Sequence, residues 1–270
     1  MTKVIPTDPL RQELTTQTVT SSLPAFMQQF VGDGTETMHD YFTPPIMRIV
    51  QRQSRKPIID MFQPGSVIAV PILQLIAQPS EKFYIVPLLF YPEWVAWNPI
   101  QARNILPAVR DKSLDPRSVI ALKARNPITR KEPCPDSREG EIRYLEHLNF
   151  IVHILPPNPL ANIPIVMSFS SGEYRTGSNF STLIQMRRAP IYGCQFEVTV
   201  AERSNNKGNW FGFDIRNPSV ESNVPPFVMD EKLFEQYKAL HAEYKSVYEK
   251  RLLQTQYEEP DSVLEAQDTF

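Results

Sequence analysis

The chain has 270 residues, a formal net charge of −2 and 41% hydrophobic residues, enough apolar side chain for one sizeable core with additions. No stretch reaches the roughly 18 apolar residues that span a bilayer, because the most hydrophobic run, 83–97, is broken by Pro87, Pro92 and Glu93. Residues 1–11 lack the basic start and apolar stretch of a signal peptide, which predicts a soluble cytoplasmic protein, and Cys134 and Cys194 are too few for a disulfide framework or a four-cysteine zinc site.

Residues 1–40 are rich in Thr, Ser, Gln and Gly and read as an N-terminal arm, with one short amphipathic piece at 23–31. A body at 41–217 follows. Apolar, β-branched runs at 46–50, 67–76 and 83–91, separated by Gln63-Pro64-Gly65 and Gln78-Pro79-Ser80, predict strands. The chain holds 26 prolines, which disfavours long helices and central parallel strands and suits short antiparallel ones. Residues 100–142 lose the periodicity and become polar and proline-broken, which predicts an irregular basic insertion. Strands resume at 143–154 and 163–169, and 177–188 reads as a short helix with Phe180, Leu183 and Ile184 on one face. Strands at 191–203 and 209–216 flank a hairpin loop, 204–208. Within 218–254, a linker leads to an amphipathic helix capped by Asp230. Its stripe includes Leu233, Phe234, Tyr237, Leu240, Tyr244, Val247 and Tyr248, a surface for packing on the body or on a second copy of the chain. Residues 255–270 read as a flexible acidic tail.

Catalytic motifs do not emerge. There is no phosphate-binding glycine loop, no dinucleotide fingerprint and no nucleophile elbow. His147 and His153 share a face of one strand without a carboxylate or cysteine at metal-ligand spacing, so neither a catalytic residue nor a metal or other cofactor is expected.

Charge is uneven along the chain: Lys and Arg outnumber Asp and Glu by 21 to 14 over 41–217, whereas 254–270 carry 0 against 5. Cations along phosphates and aromatic faces under bases are how single-stranded nucleic acid is held, stacking contributing roughly 1 to 3 kcal/mol per base. The candidate cations are Arg48, Arg52, Arg55 and Lys56 after the first strand, Arg125, Arg130 and Lys131 in the insertion, and Arg175, Arg187, Arg188 and Lys207 around the short helix and hairpin. The candidate stacking residues are Trp94, Trp97 and Trp210, each beside polar or proline-broken chain. Alternation places Trp210 on one strand face and Phe211 with Phe213 on the other.

Residues 163–169, the helix 176–186, the strand through Cys194 to Val200, and Asn206-Lys207-Gly208-Asn209-Trp210-Phe211 together resemble the C-terminal half of phage-encoded single-stranded DNA-binding proteins; 90–97 resembles an earlier element of the same fold. That resemblance implies an OB-type antiparallel barrel with one short internal helix, placed in the host cytoplasm. It also implies that the ending, with Glu258, Glu259, Asp261, Asp268 and Phe270, recruits replication or recombination proteins and competes with DNA for the basic groove. The expectation is therefore a mainly β, non-enzymatic protein that binds and protects single-stranded DNA during replication or recombination. A virion structural or assembly protein is the alternative, and a metal-dependent nuclease a more distant one.

Overall fold

The computed structural model describes residues 43–102, 106–137, 140–161, 163–205, 208–253 and 255–257. The chain falls into two units, Met1–Thr37 and Met38–Phe270. All described residues belong to the second, and the expected arm at 1–40 lies outside them.

Among the described residues ten strands and four helices follow in chain order. They are β1 (Ile46–Ile49), α1 (Lys56–Met61), β2 (Val67–Val70), β3 (Gln74–Ala77), β4 (Phe83–Trp97), β5 (Val109–Ser113), α2 (Val119–Arg125), β6 (Lys131–Pro133), β7 (Glu141–Ile154), β8 (Pro164–Phe169), α3 (Tyr174–Met186), β9 (Phe196–Asn205), β10 (Gly208–Arg216) and α4 (Glu231–Glu249). They form one mixed sheet, β10-β9-β4-β7-β8-β1-β2-β3, with β5 added to β4 and β6 to β7. Every pairing is antiparallel except β1 with β8.

The frame is the pair β4 and β7, 15 and 14 residues long, in register from Ile85 opposite Ile154 to Trp97 opposite Arg143. Each serves two sets of neighbours. β4 pairs with β9 over residues 83–85 and with β5 over 94–97. Pro87 and Pro92 fall between those two pairings, where among the described residues no strand lies beside that edge of β4, and the register also shifts between Pro87 and Leu89. A residue without an N–H is tolerated at such a place. On α4, His241 Nδ1 lies 2.7 Å from the Leu88 carbonyl oxygen, which occupies part of this gap.

Alternation divides β7 cleanly. Leu148, Phe150, Val152 and Ile154 enter a core with Phe83, Ile85, Phe169, Phe196 and Phe213 that α3 covers through Phe180 and Ile184. Phe150, Phe169, Phe180 and Phe196 are all but inaccessible, each contributing roughly 1.5 to 3 kcal/mol by burial. Gly177 lets α3 approach: a Cβ there would lie 2.6 Å from the Phe169 Cβ. Ile151 faces the other way, into a second core with Val86, Leu88, Tyr91, Ile68 and Val166, under Tyr237 and Tyr244 of α4. Asp230 caps α4 by accepting the Leu233 N–H at 2.9 Å, and the aromatic stripe packs on the body.

Several expectations are corrected. The sheet is not a closed barrel: among the described residues its end strands β10 and β3 do not pair with each other. Where β1 ends near β10, the Gln51 side chain takes the place of a strand, its amide donating to the Phe211 carbonyl at 2.8 Å and accepting the Phe211 N–H at 2.9 Å. The stretch 100–142 is not irregular, because β5 and β6 extend the β4–β7 pair and α2 packs on it through Ile120 and Ala121, against Trp94, Ile142 and Tyr144. The run 67–76 is two strands, β2 and β3, turned about Pro71. Helix α4 ends at Glu249, and Thr255 and Tyr257, read as tail, are docked on the body.

Candidate functional site

The three tryptophans occupy different environments. Trp94 and Trp97 have opposite parity on β4, so one points to each face of the sheet, and both faces are covered. Trp94, 1% exposed, lies beneath α2 with the Arg125 guanidinium 4.6 Å above its ring. Trp97, 8% exposed, lies on the other face against His147 and Tyr257. The expectation of exposed stacking surfaces is therefore not met at either residue. Trp210 is half-buried on β10, with its indole N–H 3.4 Å from Glu173 Oε1. Its neighbours Phe211 and Phe213 turn to the inner core as alternation requires.

The candidate cations are spread over several elements. Arg52 pairs with Glu202 at 2.8 Å and lies over the Phe211 ring at 5.2 Å, which ties β1 to the β9–β10 hairpin. Arg48 is half-buried on β1, while Arg55 and Lys56 are exposed at the start of α1. Arg125 is exposed at the end of α2, and Arg130 and Lys131 are half-buried at β6. Arg175 is exposed in the first turn of α3, about 18 Å along the helix from Arg187. Arg187 itself is held in place. Its guanidinium lies 4.1 Å from the Phe196 ring, donates to Asn217 at 2.6 Å and bonds the Pro226 carbonyl. Arg188 beside it is exposed. Lys207 and the tail residues Glu258, Glu259, Asp261, Asp268 and Phe270 lie outside the described residues.

An ion-paired corner links α3 to the hairpin. Arg203 donates to Glu173 at 3.1 Å and to Thr176 at 3.0 Å, and Glu173 also receives the Phe213 N–H at 3.2 Å. Burial raises the Glu173 carboxyl above its ordinary range, against the pull of Arg203.

A second constellation escaped notice in the sequence. On the outer face, Tyr91 stands opposite Asn149 and Glu93 opposite His147. All four are buried. The Tyr257 hydroxyl donates to Glu93 Oε2 at 2.7 Å and accepts from Asn149 Nδ2 at 2.9 Å, while its ring lies 4.5 Å from that of His147. Trp97 Nε1 donates to His147 Nε2 at 3.3 Å, and His147 Nδ1 lies 3.0 Å from the Ser168 hydroxyl. Tyr91 and Thr255 share a hydroxyl–hydroxyl bond of 2.8 Å, and Lys112 Nζ donates to the Thr255 carbonyl at 2.8 Å while standing 4.0 Å from Glu93. Burial pushes the Glu93 carboxyl up and the His147 imidazole down to about 3. The signal in the sequence was polar residues at period two inside apolar strands: Glu93 on β4, and His147, Asn149 and His153 on β7.

Among the described residues no His, Cys, Asp and Glu cluster could hold a metal ion, and no helix is long and apolar enough to cross a membrane. No curated protein and no solved structure matches the chain. The sequence does match a protein family over residues 15–250, nearly its whole length. The chain belongs to the Pam3 phage gp34-like protein family.

Proposed function

We propose that the chain binds single-stranded DNA without strong sequence preference in phage DNA replication or recombination, using an open OB-like sheet. The observation that carries this reading is connectivity. β4, β7 and β8 form an antiparallel meander, α3 follows, and β9 returns to pair with β4 before turning into β10. This is the order of a five-stranded OB barrel, which grips oligonucleotides with the loops joining its first to second and fourth to fifth strands. Here the first of those connections is the basic stretch 98–140, with Arg110, Lys112, Arg117, Lys123, Arg125, Arg130 and Lys131, and the second carries Lys207. The departure is at the seam, where β1 lies between β8 and β10.

Capture would be electrostatic, with Trp210 the remaining stacking candidate of the three tryptophans and the acidic ending a recruiter of partner proteins. The test is titration of fluorescent oligo(dT) over a salt series. Tight binding at low salt is expected, with log affinity falling steeply and linearly in log salt. Micromolar or weaker binding at low salt, or equal affinity for duplex, refutes it. A virion assembly role is the second reading, favoured by the exposed apolar side chains Val119, Leu122 and Ile128 on and after α2.

A further inference from the structure

We propose that the slot between β4 and β7 is a binding site for a tyrosyl side chain, filled by the chain's own Tyr257, and that residues 255–257 form a releasable strap over the outer face of the sheet. The proposal does not depend on nucleic-acid binding.

The slot is built by the sheet. Its floor and walls are Glu93, Trp97, His147 and Asn149, from the two strands with the longest shared register. A carboxylate, an imidazole and an amide buried together are costly unless each finds a partner. The partner that meets both the carboxylate and the amide is the Tyr257 hydroxyl, which gives its proton to Glu93 and takes one from Asn149. Among the described residues the amide oxygen of Asn149 has no hydrogen-bond partner. Thr255 adds the bonds to Tyr91 and Lys112.

Two features make the strap releasable. The slot is polar, so water can replace the tyrosine when it leaves, which would not hold for an apolar socket. The strap also borders open space: a recess of about 400 Å³ is lined by Pro71, Val109, Lys112, Thr255, Gln256 and Tyr257.

The test uses the full chain carrying W210F, in which Trp97 becomes accessible to acrylamide when the strap lifts and Trp94 stays beneath α2. Quenching should be low in this parent, rise severalfold in Y257A and lie between in Y257F. A synthetic peptide of residues 253–257 added to Y257A should restore low quenching, and the same peptide ending in Phe should bind at least tenfold more weakly. E93Q, whose amide oxygen can still accept the Tyr257 proton, should keep quenching low. Circular dichroism confirms that each variant is folded. Unchanged quenching in both Y257A and Y257F, or no rescue by millimolar peptide, overturns the proposal. Since no nucleic acid is present, that failure is separate from failure of the DNA-binding reading.

Discussion

His153 offers a direct measure of how the outer core responds to acid. It is 3% exposed at the edge of the α4 interface, edge-on to Tyr237 at 5.6 Å, and neither ring nitrogen has a hydrogen-bond partner among the described residues. Burial lowers its pKa to about 4 from an ordinary 6.5. A base whose folded pKa is depressed is neutral in the fold, so its contribution is intact above pH 6.5 and is lost as pH falls toward 4. Between pH 7 and pH 5 the unfolded chain gains a proton that the folded chain refuses, which costs roughly 2 kcal/mol of stability. His153→Phe keeps the ring contact and removes the proton. Its stability at pH 7 should lie within about 1.5 kcal/mol of the parent. At pH 5 it should be ahead by roughly a further 2 kcal/mol. Urea unfolding followed by circular dichroism at pH 7, 6 and 5 measures both quantities. His147, lowered to about 3, should leave the variant with acid sensitivity of its own. Glu93 and Glu173, raised by burial, act with the opposite sign. Their contribution is present below the ordinary carboxyl range and is lost as pH rises through their raised values. Both are common to parent and variant, so the difference isolates His153. Equal pH dependence in the two proteins would refute the reasoning.

Gly177→Ala places a Cβ 2.6 Å from that of Phe169, so a change that ordinarily stabilises a helix should here destabilise by about 1 to 3 kcal/mol, read as a lower urea midpoint. Trp94→Ala should cost roughly 3 to 5 kcal/mol of stability, whereas Trp210→Ala should lower affinity for oligo(dT) with little change in salt slope; the reverse assignment would place the stacking surface under α2. Charge reversal at Arg188 should weaken binding to all single-stranded sequences alike and reduce the salt slope. Arg187 is the wrong place for that test, because its reversal breaks the contacts to Phe196, Asn217 and Pro226 and should show first as lost stability.

Local pattern alone determined the elements whose periodicity runs long enough to stand without help. The alternation of β7 and β10, the Asp230 cap with its aromatic stripe, and the face of α3 bearing Phe180 and Ile184 were all legible, because they depend on neighbours two to four positions apart. What tertiary structure decided was which faces are covered. Trp94 and Trp97 point to opposite sides of β4, and alternation could not tell that α2 would cover one and Tyr257 the other, since both covers come from distant chain. The short elements within 100–142 carry too little intrinsic preference to be read locally, and form where β4 and β7 offer edges to extend. Glu93 and His147 became one cluster only through the β4–β7 register, and the expected barrel stayed open because β1 entered beside β8, a choice made by long-range pairing.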